Sequence, residues 1–128
     1  MSMEISEREL QKREEYTQKA KEAGDILNAV FFIHYFNWCI NLFGPSPKPP
    51  NISPQEVFGE YDANEYDICL EKSKKLLSRI AYVGAAFHKY QDSYETYDEA
   101  LYRMRLENPG FNEECYSKAA NRSITTMR

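Results

Sequence analysis

His88, Asp92, Glu95 and Glu99 follow one another at steps of four, three and four. On a continuous helix this spacing stacks all four side chains within one narrow arc. An imidazole with carboxylates is a ligand set for zinc, iron or manganese, and helical bundles build metal sites from inward-facing residues. His88, Asp92 and Glu95 are therefore the metal-ligating candidates. A second line opposes that assignment: Tyr90, Tyr94, Tyr97 and Leu101 keep helical spacing on roughly the other side, and an apolar line turns inward. The acidic stripe then meets water, where Asp92, Glu95, Asp98 and Glu99 form a face for docking a basic partner. The Glu-x-x-His pairing of di-iron bundles is also missing. The expectation is an acidic docking face, with no metal or other cofactor.

His34, Asn37 and Asn41 form another polar line, inside a run that is otherwise apolar. Spacing of three and four places them on one side of a helix. They could be the convergent polar contacts of a ligand pocket, with Tyr94 as a further lining residue. The alternative is an internal network that fixes helix register, since buried amides must be satisfied in either case. His34 and His88 are the only histidines, and neither sits in a recognisable nucleophile motif. No catalytic residue is assigned, and Gly-rich phosphate loops are absent.

The elements that must position these groups are helical throughout. Ser6 and Glu9 make an S-x-x-E capping box, with Ile5 and Leu10 placed as the hydrophobic staple. Ser53-Pro54-Gln55-Glu56 repeats that grammar, with Pro54 at the first helical position. Asn112 caps a third start. These signals predict a long helix over 7–43, loosened or kinked at Gly24, and a Pro-rich connector over 44–52. A short helix over 54–60, a long and bent helix over 65–107 and a last helix over 113–126 follow. Cys69, Ser73, Leu76, Ile80, Val83 and Phe87 give the long helix its buried line. Asn108-Pro109-Gly110 ends it. No strand pattern or repeat is visible, so the fold class is all-α: one domain, 1–128, a bundle of three to five helices.

Glu7 to Glu22 is charged, with Leu10, Tyr16, Ala20 and Ala23 as its only apolar candidates. That composition suggests an arm completed by a partner or a second copy. In the connector, Pro47 to Pro50 reads as P-x-x-P but serves equally as a stiff spacer.

Composition narrows the function classes. Ten Tyr, seven Phe and one Trp in 128 residues favour a large contact surface. A net charge of −4 with interspersed Lys and Arg argues against nucleic acid, which needs a basic stripe. Residues 26–43 are apolar but interrupted by Asn28, His34, Asn37 and Asn41, which favours a core helix over a membrane span. Three scattered cysteines, Cys39, Cys69 and Cys115, and an N-terminus without a signal-peptide pattern point to the cytoplasm. The resulting expectation is a non-catalytic protein-binding module of inhibitor, immunity or adaptor type, with a homodimer as one form. The alternative is a bundle that binds a small ligand or metal, with enzymatic activity left open.

Overall fold

A computed structural model describes residues 4–89 and 94–126. Among these residues all regular secondary structure is helical. The chain divides into two compact units, 1–70 and 71–128.

In the first unit, α1 (Glu7–Lys21) starts at Ser6, whose hydroxyl accepts the Glu9 N–H at 3.2 Å. The single helix expected over 7–43 is in fact two helices followed by a wider turn. Gly24 takes φ +86°, a left-handed conformation that ends a helix at no steric cost. Asp25 then restarts the chain by accepting the Asn28 N–H at 2.8 Å, capping α2 (Ile26–Tyr35). Residues Phe36–Asn41 continue it as a π-helical turn. α2 is buried on nearly every face from Asn28 to His34, as its all-round apolarity requires.

Packing in this unit is aromatic. Tyr16 of α1 stacks on Tyr35 with ring centroids 5.8 Å apart, and Phe31 stacks on Tyr35 at the same distance. Tyr16 also meets Phe32 and Phe36 at 6.3 and 6.0 Å. Such pairs add about 0.5–1.5 kcal/mol each beyond the area they bury. The charged first segment is therefore not a projecting arm. Tyr16 and Ala20 suffice to seat α1 against α2, although Leu10 stays outside. The connector leads to α3 (Pro54–Phe58), which starts with the reciprocal Ser53–Glu56 capping box and stops at Gly59.

α4 (Ala63–Ser78) carries the chain into the second unit. The long helix expected over 65–107 is broken twice. α5 (Ala81–His88) begins after an irregular Ile80 and ends on Lys89, a left-handed residue at φ 57°. α6 (Tyr97–Glu107) starts afresh at Thr96, whose hydroxyl accepts the Glu99 N–H while Glu99 accepts the Thr96 N–H. α7 (Glu113–Thr126) is capped by Asn112, which accepts the Cys115 N–H at 2.9 Å. α5 packs on both α6 and α7. Val83 and Ala86 of α5, Ala100 and Met104 of α6, and Cys115, Tyr116, Ala119 and Ala120 of α7 are buried.

The expected inward tyrosine line is not the inner side of α6. Tyr90 lies outside the described residues, Tyr94 is 96 % exposed, and Tyr97 and Leu101 are only half-buried. Ala100 and Met104 take the interior positions instead. The buried line of the preceding segment holds from Cys69 to Val83 and fails at Phe87, which is about half exposed.

Candidate functional site

The polar line of the first unit resolves into a clasp between the π-helical turn and the connector. Asn37 grips the Ile52 backbone twice: its amide nitrogen donates to the Ile52 carbonyl at 3.0 Å, and its amide oxygen accepts the Ile52 N–H at 2.8 Å. Asn41 donates to the Pro49 carbonyl at 2.9 Å and to the Asn51 side-chain oxygen at 3.0 Å. Each satisfies groups that a proline-rich, non-helical stretch would otherwise leave without a backbone ladder. Ile52 is thereby held in the core at 2 % exposure. His34, one turn earlier, is buried with its ring 6.0 Å from Trp38.

Arg13 of α1 secures the other side of the same connector. Its guanidinium donates to the carbonyls of Pro50 and Asn51 at 2.8 and 3.0 Å, and to both oxygens of Glu56 at 2.8 and 2.7 Å. Glu56 also accepts the Ser53 N–H at 2.8 Å. The bond from the Ser53 backbone, reinforced by Arg13, holds the Glu56 carboxyl below its ordinary range. Asn37, Asn41 and Arg13 therefore act on the chain itself. Tyr94, the fourth suggested lining residue, belongs to the second unit and is almost wholly exposed.

The first unit also has an outward apolar surface. Trp38 is 55 % exposed and Phe43 73 %, with Leu42 beside them in sequence and similarly uncovered. Elsewhere in this unit a shallow groove of about 480 Å³ is lined by Arg8, Glu9 and Lys12 from α1 and by Ile40 and Gly44.

In the second unit, the stripe of His88, Asp92, Glu95 and Glu99 does not share one helix. α5 ends at His88, Glu95 precedes the Thr96 cap of α6, and Glu99 lies in the first turn of α6. Asp92 is outside the described residues. The His88 Nε2–H donates to the Ile124 carbonyl at 2.9 Å, and the ring lies edge-on to Phe87 at 5.2 Å. Among the described residues no three His, Cys, Asp or Glu side chains gather as a metal-holding group.

What α6 does present is an outer stripe. Glu95, Asp98, Glu99, Tyr102, Arg103, Leu106 and Glu107 line an open concavity of about 550 Å³. Tyr102 is 64 % exposed and Leu106 63 %, one turn apart on the same side. Arg103 donates to Glu95 at 2.8 Å and to Glu107 at 3.2 Å, and its guanidinium lies 4.0 Å from the centroid of the Tyr82 ring. The Tyr82 hydroxyl donates to Glu107 at 2.9 Å. Burial, and then that bond to a carboxylate, pushes the Tyr82 phenol up, while the same bond and Arg103 hold Glu107 down. Glu99 is held low by the Thr96 backbone N–H.

Of the four residues expected to make the acidic face, Glu95 is paired with Arg103, Glu99 caps α6, and Asp98 is exposed in the first turn. The sequence reading missed Tyr102 and Leu106. Their signal was present: they occupy the side of the helix opposite Ala100 and Met104, where a large apolar residue is unexpected. No protein-family model, curated protein or solved structure matches this chain.

Proposed function

We propose that this chain is a non-catalytic protein-binding module, an inhibitor, immunity-type or adaptor protein that works through a helical face. The observation that carries this reading is the outer stripe of α6, where Tyr102 and Leu106 stand exposed among carboxylates. Scattered exposed apolar residues are ordinary, but a large aromatic and a leucine one turn apart make a small anchor patch with a polar rim. Asn37 and Asn41, two of the polar residues that suggested a ligand pocket, are engaged in holding the connector. That engagement lowers the standing of the small-ligand alternative.

Self-association is a second reading, favoured by the outward Trp38, Leu42 and Phe43 of the first unit. The site of action in both readings is the cytoplasm. Cys39, Cys69 and Cys115 are all thiols, two of them buried, and no helix among the described residues is long and apolar enough to cross a membrane. Reduced, buried thiols are the usual condition of a reducing compartment.

The test is capture of a partner from extract of the protein's own cells, combined with sizing chromatography. One dominant protein retained in near-equal amount, or elution at twice the monomer mass, is the expected result. A monomer that retains nothing at high concentration overturns the reading.

A further inference from the structure

We infer that the outer face of α6 receives a basic amphipathic helix of a protein partner, lying along the stripe from Glu95 to Glu107. This inference rests on the protein-binding reading and specifies its surface and the chemistry of its occupant. The first argument is charge. Four carboxylates, Glu95, Asp98, Glu99 and Glu107, line the stripe with a single guanidinium, that of Arg103. Four negative charges less one positive leave −3 on one exposed face. Arg103 already spans Glu95 and Glu107, so Asp98 and Glu99 at the N-terminal end carry the uncompensated charge. A partner with Lys or Arg opposite that end is steered to it, and a carboxylate-bearing partner is repelled.

The second argument is shape. The lining residues on α6 recur at intervals of three and four, from 98 and 99 through 102 and 103 to 106 and 107, with Glu95 just before the helix. The ten helical steps from Tyr97 to Glu107 span about 15 Å, a little under three turns. A helix face of that length, with Tyr102 at its middle and Leu106 one turn further on, is matched by a second helix whose side chains fill the spaces between them. The partner's seam must be apolar where it meets Tyr102 and Leu106 and basic at its flanks. Tyr102 supplies a rigid aromatic anchor that loses little rotamer entropy on contact.

The experiment uses the full chain and a synthetic probe. The probe is a helical peptide of about 18 residues, with leucines on one face and lysines on its flanks. One control has the same composition in an order that forms no apolar face, and another has glutamate in place of lysine. Amide shifts of the labelled protein and titration calorimetry read binding. The expected result is binding of the leucine–lysine helix with shifts concentrated between residues 95 and 107, and affinity about tenfold weaker or worse for both controls. The double variant Tyr102→Lys, Leu106→Lys should lose about tenfold in affinity for the helix. Asp98→Lys, a single exposed change, is the second variant and should lose affinity in the same direction.

Equal binding of the disordered-face control, shifts that map away from α6, or no binding at all overturns the proposal. Its failure is separable from failure of the broader reading. If the double variant still captures the cellular partner, the module stands and the α6 assignment falls. If the unmodified chain captures nothing and stays monomeric, the module reading itself falls.

Discussion

Asn37 and Arg103 each hold two bonds from a helical segment, yet they do opposite kinds of work. Asn37 faces inward from the π-helical turn, and both of its bonds end on the buried backbone of Ile52. Arg103 lies on the wet side of α6, about half exposed, and both of its bonds end on carboxylates that water also reaches. Backbone groups in the interior have no solvent to fall back on, so their partners are fixed by necessity. Surface ion pairs exchange readily with water and with other charges. In this molecule the inward polar groups stabilise the fold, and the outward ones remain available to a second molecule.

The largest effect should come from removing the inward clasp. Asn37→Ala leaves the N–H and C=O of Ile52 without their partner, at a cost of about 2–3 kcal/mol in urea denaturation. A loss below about 0.5 kcal/mol, the range of ordinary surface changes, would show that water replaces the amide and that the inward–outward distinction is false.

A somewhat smaller loss is expected in the second unit at Ser123. Its hydroxyl accepts the Gly84 N–H at 2.9 Å and donates to the Ile80 carbonyl at 2.8 Å, both in buried surroundings. Ser123→Ala should cost about 1–2 kcal/mol and speed amide exchange at Gly84. Unchanged exchange at that amide would dismiss the bridge as a stabilising device.

The Ser123 bridge also shows why part of the fold could not be read from sequence. The break between α4 and α5 has no glycine or proline to announce it, and its irregular Ile80 is held by a residue 43 positions away. Long-range contacts of that kind leave no local trace. Two other breaks were written locally and misread. Gly24-Asp25 is a left-handed stop followed at once by an N-cap, which signals two helices rather than a kinked one. Thr96 with Glu99 is a capping box of the same form as Ser53 with Glu56, and it places a helix start where continuity was expected.

The alignment of His88 with Glu95 and Glu99 on one helix fell with that continuity, because α5 ends at His88, Glu95 precedes the cap of α6 and Glu99 lies inside it. Helical content and the caps at Ser6, Ser53 and Asn112 depend on neighbours within four residues and were legible for that reason. The clasp of Asn37 and Asn41 was legible only as a need for partners, since the partners lie 8 to 15 residues further along a connector with no periodicity.

Glu56 stands between the two extremes, partly exposed yet tied to Ser53 and Arg13. Its folded-state pKa lies below the ordinary value of 4.5. The stabilisation it gives is therefore complete above the unfolded-state value and disappears as pH falls through the folded one. On acidification below about pH 5, the unmodified chain should lose stability faster than Glu56→Gln, whose side chain does not titrate. Parallel acid titrations of the two proteins would remove Glu56 from the account of acid unfolding.

Arg103→Ala gives the smallest change in stability and the sharpest test of the comparison. Its two ion pairs are exposed and its guanidinium faces the Tyr82 ring, so the loss should stay within the range of ordinary surface changes. The same change removes the one positive charge from a stripe that carries four carboxylates. The face goes from −3 to −4, and the carboxylates of Glu95 and Glu107 are released from their intramolecular partner. A basic amphipathic helix should then bind faster and tighter, with the gain fading as salt rises from about 0.05 to 0.5 M and the screening length shrinks. Stability and affinity thus move in opposite directions for this residue, whereas Asn37→Ala should lower stability and leave affinity for the α6 face unchanged. If Arg103→Ala instead weakens the peptide complex, net charge does not govern occupancy of that face and the basic-helix assignment falls.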